Sequence, residues 1–147
     1  MLWLYLLIAL VAGALMPLQA GVNSQLARWV GHPVVAALVS FAVGTLALLV
    51  YSAALREPLP AWAALRASPW WVWTGGLFGA FFVAAAAAYA PRLGAATFVS
   101  VTIAGQMIVS LALDHYGLVG FAERPATPLR FAGAALLVAG VVLIRRF

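Results

Sequence analysis

The chain has 147 residues, 67% of them apolar and 7% charged, and eight basic residues against three acids leave a net charge of +5. So few polar groups cannot cover a soluble domain of this size, and a disordered chain needs low hydrophobicity, so both classes are excluded. The basic residues are all Arg and scattered, which makes no nucleic-acid stripe, and the lack of Cys removes disulfide scaffolds, thiolate metal sites and thiol catalysis.

What remains is an all-α polytopic membrane protein whose first partner is the lipid bilayer, with no cofactor, metal or nucleic acid expected. A helix needs about 20 apolar residues to cross the hydrocarbon core. Five stretches meet that length, at residues 2–26, 33–55, 69–90, 94–115 and 128–144. They are apolar all round rather than alternating, which favours helices over barrel strands. Residues 1–147 therefore read as a single transmembrane domain.

The first span lacks a basic leader region and has too long an apolar run for a signal peptide, so it reads as a retained helix. Pro17 lies between Gly13 and Gly21. Its ring clashes with the Gly13 carbonyl and removes one backbone hydrogen bond, which predicts a kink. Gln19 and Asn23 are four residues apart and share a face. Two readings stay open for these amides: they line a polar solute path, as in discontinuous transporter helices, or they bond neighbouring helices as packing glue.

The second span follows His32, which reads as loop, and carries Gly44 as a weak small-residue contact. The segment at 56–68 holds Arg56, Glu57, Trp62 and Arg66. Ser68 and Pro69 look like an N-cap followed by the first helical position of the third span. Within that span Gly75 and Gly79 form a GxxxG that permits close backbone approach, and Gly133 and Gly140, seven apart on the fifth, form a second small-residue seam for helix packing or dimer contact. Pro91-Arg92-Leu93-Gly94 is the tightest connection and is expected to fold spans three and four into an antiparallel hairpin.

The fourth span carries Thr102, Gln106, Ser110 and Asp114 at intervals of four, a polar stripe down one face. Gln106 lies near mid-span and cannot hide its amide against its own backbone as Ser and Thr do. Asp114 sits at a helix C-terminus, where the macrodipole disfavours an anion. It either pairs with Arg124 or Arg130 or binds a proton or cation in coupling. His115 reads as a passive interfacial group. The half-apolar segment at 116–127 is expected in the interface, and Thr127-Pro128 caps the fifth span. Trp3, Tyr5, Trp70, Trp71 and Tyr116 fall on one side of the membrane in this topology, with Trp29 and Tyr89 on the other, an aromatic belt.

Arg56, Arg66, Arg124 and Arg130 lie on the side of the N-terminus, and Arg28, Arg92, Arg145 and Arg146 on the other. Orientation follows such counts, and a tie leaves both orientations open. Copies inserted oppositely can pair about a two-fold axis in the membrane plane, the geometry other transporters build from inverted repeats around a midplane site.

Several stretches together resemble the YdcZ-type family of the drug/metabolite transporter superfamily. They are Gln19-Ala20-Gly21-Val22-Asn23 with Leu26; Val39-Ser40-Phe41-Ala42-Val43-Gly44-Thr45-Leu46; Ala90-Pro91-Arg92-Leu93-Gly94-Ala95-Ala96; Gln106; Asp114-His115-Tyr116-Gly117-Leu118; Pro128-Leu129-Arg130; and Arg145-Arg146. The resemblance implies a five-helix protein of the bacterial cytoplasmic membrane, half the size of the ten-helix members, and supports an antiparallel, dual-topology homodimer. In the small multidrug-resistance branch a Glu in helix one binds protons and cationic drugs, whereas helix one here offers only Gln19 and Asn23.

The function expected is alternating-access transport of an unidentified small polar or amphipathic solute past Gln19, Asn23, Thr102, Gln106 and Ser110. A small dual-topology ion channel and a non-transporting membrane protein are the alternatives. No enzyme is expected, because Asp114-His115 comes with no nucleophile or oxyanion-hole signature.

Overall fold

In the computed structural model, which describes residues 1–58 and 60–147, helices carry almost all of the chain. α1 spans Leu2–Val30, α2 Pro33–Leu55, α3 Trp62–Ala67, α4 Thr74–Leu93, α5 Ala95–Tyr116 and α6 Pro128–Arg146. Two single turns of 3-10 helix, Trp70–Trp73 and Leu118–Gly120, precede α4 and follow α5. The five helices α1, α2, α4 (with its 3-10 turn), α5 and α6 are long and apolar enough to cross a membrane.

The chain forms two compact units, Met1–Arg92 and Leu93–Phe147. In the first, α1 packs on α2. Gly31, at φ 84, ends α1 in the left-handed conformation that glycine adopts without strain. The next residue, His32, is an N-cap rather than plain loop: its Nδ1 accepts the Val34 N–H at 3.2 Å, with Pro33 at the first helical position. The buried residues of this unit are nearly all alanine: Ala20 on α1, Ala36 and Ala37 on α2, and Ala86, Ala87 and Ala90 on α4, with Val83 and Asn23. Alanine lets helix backbones approach closely, so packing here rests on many short contacts rather than on large side chains.

The large apolar residues face outward instead. Leu38 is 69% exposed, Phe81 78% and Leu129 84%. In water such a surface would aggregate, whereas in a bilayer it meets acyl chains as apolar as itself.

Gly79 is the place in α4 where a side chain would be crowded, since an added Cβ would lie 3.3 Å from the tip of the Phe41 ring, which would have to shift by a few tenths of an ångström. Gly79→Leu is expected to lower stability by about 1–3 kcal/mol through overpacking. Gly75→Leu, where an added Cβ meets no neighbouring element within 4 Å, should not. Thermal melts of the two purified variants in detergent compare them directly, and equal midpoints would remove the close-contact role of Gly79.

In the second unit α5 packs on α6, with Phe98 and Leu111 buried on α5. The N-cap at Thr127 forms, its side chain accepting the Arg130 N–H. Val119 lies at φ 55, a left-handed conformation that is strained for a β-branched residue, between Gly117 and Gly120, which adopt positive φ freely.

Three boundaries differ from those read in the sequence. Ser68 does not open the third span. It closes the short α3, donating its hydroxyl to the Leu65 carbonyl at 2.7 Å, and the next helical turn starts at Trp70. α4 continues through Pro91 to Leu93, leaving Gly94 at φ 85 as the break before α5. α1 runs on to Val30 as one helix with Pro17 inside it, so any bend at Pro17 does not interrupt the helix.

Candidate functional site

On α1 the residues withdrawn from the surface are Pro17, Ala20, Asn23, Ser24, Leu26 and Ala27. Their spacing of three and four is the helical repeat. Asn23 is 3% exposed, the most deeply buried polar side chain of the described residues, and its Nδ2 has no hydrogen-bond partner among them. Gln19 shares the spacing but not the environment. It lies on the exposed margin of the same face, because four residues advance a helix by more than one full turn.

Beside Asn23 is a residue that sequence reasoning passed over. Ser24 Oγ lies 2.7 Å from the Ala20 carbonyl, four residues back, and 3.1 Å from the Ala87 carbonyl of α4. Its single proton is shared between the two carbonyls, and the share that reaches Ala87 links α1 to α4 at a level where the packed side chains are alanines. Nothing in local spacing distinguishes it from any other serine in a membrane helix. Its role depends on α4 lying within reach.

The α5 stripe divides in two. Thr102 is half-buried and donates to the Val99 carbonyl at 2.9 Å. Ser100, nearby, donates to the Ala96 carbonyl at 2.7 Å. Both hydroxyls have thus committed their proton to their own helix and keep only acceptor lone pairs. Gln106 and Ser110 are exposed. An exposed amide in a lipid-length helix would face hydrocarbon, where an unpaired polar group is expensive. Between α5 and α6 lies an apolar hollow of about 230 Å³, walled by Ser100 and Ile103 on one side and by Leu136, Leu137 and Gly140 among the α6 residues. Gly140 opens this hollow, whereas Gly133 is exposed with nothing near it.

Asp114 is held at the end of α5. Its carboxylate makes an ion pair with the Arg130 guanidinium of α6, with the two side chains 26% and 33% exposed respectively. Arg130 also donates from Nη1 to the Arg124 carbonyl at 2.9 Å, and the Arg124 N–H donates to the Asp114 carbonyl oxygen at 2.6 Å. His115 accepts the Ala126 N–H at Nδ1, 3.1 Å away, which places its ring proton on Nε2 when neutral. These bonds draw the segment after α5 back onto the helix end just before α6 begins. Neither His115 nor the turn it accepts from was legible as a pair, because eleven residues separate them.

No cluster of three or more His, Cys, Asp or Glu able to hold a metal occurs among the described residues. The site elements are amides, hydroxyls and one peripheral ion pair, set in helices of membrane length. Such a chain is a multi-pass helical membrane protein. Residues 4–143 match the family described as "Putative inner membrane exporter, YdcZ", and the chain belongs to that family as a multi-pass protein of the inner membrane. Over 82 residues, 52% of this chain, it is 38% identical to the inner membrane protein YdcZ of Escherichia coli (strain K12). That match covers 51% of the relative, so the chain spans about half the length of the curated relative it matches. No solved structure matches it.

Proposed function

We propose that the protein is a carrier for a small polar or amphipathic solute, working by alternating access as an antiparallel homodimer that doubles the five membrane helices to ten. The observation that carries this reading is the exposure of Gln19 and Gln106 on a single copy. Amides at those depths are tolerable only against protein or water, and a second copy enclosing a wet crevice supplies both. The equal division of Arg between the two aqueous sides, four and four, supports opposite insertion of the two copies. Solute would pass Gln19, Asn23, Thr102, Gln106 and Ser110. The pairing of Asp114 with Arg130 favours facilitated movement over proton coupling at that carboxylate.

Two measurements test this. The chain contains no Cys, so a single Cys at the exposed Ala122 (Ala122→Cys), close to the positive-φ Gly120 rather than at it, reports topology cleanly. An impermeant maleimide is expected to label it in comparable amounts from either face of the membrane, and labelling from one face only would end the antiparallel reading. For transport, proteoliposomes loaded with a ¹³C-labelled cytoplasmic metabolite extract should release one solute class saturably and show counterflow. Fast, non-saturating ion flux would point to a channel instead, and no flux to a non-transporting protein.

A further inference from the structure

We propose that the Asn23 side-chain amide is the hydrogen-bond donor of the solute site, and that it takes an oxygen acceptor of an uncharged solute. This rests on the carrier reading above and names its substrate class. Asn23 is 3% exposed, yet its Nδ2 donates to nothing among the described residues. An orphaned buried amide is costly, and the neighbouring Ser24 shows that the same unit satisfies a polar group where it can.

If Asn23 served only to glue helices together, it would have a partner within the packed unit. The other buried residues there are Ala20, Ala36, Ala37, Val83, Ala86, Ala87 and Ala90, none of which has a side-chain acceptor. The Ala87 carbonyl, which Pro91 leaves without its helical donor, faces the Ser24 hydroxyl instead, and no carbonyl of the described residues receives Asn23 Nδ2. The donor is therefore held ready for an acceptor that arrives from outside.

The charge of that acceptor follows from what is missing around it. α1 carries no charged side chain before Arg28, and α2 and α4 carry none before Arg92 at the end of α4. No acid lies on these helices, so a cation brought to Asn23 would be desolvated without a counter-charge. For an anion the nearest cations, Arg28 and Arg92, are exposed at the helix ends rather than beside Asn23. A neutral molecule with a carbonyl, ether or hydroxyl oxygen exchanges one hydrogen bond to water for one to Nδ2 with little loss. Access requires α1 to move, and Pro17, which leaves the Gly13 carbonyl without its helical donor, is the point at which α1 yields most easily.

Asn23 is the one asparagine in the chain, so protein labelled with side-chain ¹⁵N-asparagine in lipid nanodiscs gives a single amide NH₂ pair by NMR. N,N-dimethylacetamide, an uncharged acceptor with no donor, is the probe, with tetramethylammonium chloride and sodium acetate as charged comparators. The expected result is a saturable downfield shift of the amide protons with dimethylacetamide and none with either salt. Asn23→Leu, which removes the orphan without opening a cavity, is expected to leave the melting temperature unchanged or raise it. Loss of several degrees in Asn23→Leu would reveal a structural partner and overturn the proposal, as would the absence of a saturable shift. An equal response to either salt would overturn the neutral class. Solute flux from loaded vesicles with a silent Asn23 signal would sink this inference alone, whereas absent flux would sink the carrier reading.

Discussion

Replacing either mid-span glutamine with leucine is expected to reduce solute flux about 5- to 140-fold while leaving the amount of inserted protein unchanged. Gln106→Leu and Gln19→Leu each remove an amide that is exposed on the single copy, so neither leaves a buried partner unsatisfied within the chain. If these amides contact solute in the crossing state, losing one hydrogen bond there raises the barrier by about 1–3 kcal/mol, and each 1.4 kcal/mol is tenfold in rate. Vesicle efflux with the ¹³C-labelled extract measures it. Unaltered flux in both variants would place the solute path elsewhere, and a collapse in insertion or melting temperature without a specific flux effect would make them packing residues.

Arg130→Ala is expected to loosen the turn between α5 and α6. The substitution removes the ion pair to Asp114 and the bond to the Arg124 carbonyl together. Each side chain is about a quarter to a third exposed, so the Coulomb part is screened, and the loss should be about 1–2 kcal/mol. Arg130→Lys should recover only part, because a single ammonium cannot reach both acceptors in the fixed geometry of a guanidinium. Hydrogen exchange at residues 117–127 should rise in Arg130→Ala before the helices themselves exchange. Asp114→Asn should show the same loosening with flux retained. If Asp114→Asn instead abolished flux and left exchange unchanged, the carboxylate would be a coupling site rather than a clasp.

Opposite ends of the α5 stripe thus take different parts. Thr102, Gln106, Ser110 and Asp114 share an interval of four, and the interval holds on an unbroken helix. Periodicity reports which residues share a face, but it says nothing of what lies opposite. Thr102 turns its hydroxyl to its own backbone, Gln106 and Ser110 are exposed, and Asp114 finds Arg130 sixteen residues away.

Length, hydropathy and proline placement were enough to read the membrane class, the five spanning helices and the cap at Thr127. Those features arise from transfer energies and from backbone rules that act within a few residues, so they are written locally. His32 shows the limit of such reading, since an imidazole can cap a helix as Ser or Thr does, and only its rotamer reveals it. Ser24 bridging to Ala87, the fit of Phe41 against Gly79, the clasp around Asp114 and the stranded amide of Asn23 all depend on distant segments meeting. Apolar helices offer many equivalent faces for packing, and which one turns inward is settled by close contacts between small residues that no linear pattern encodes.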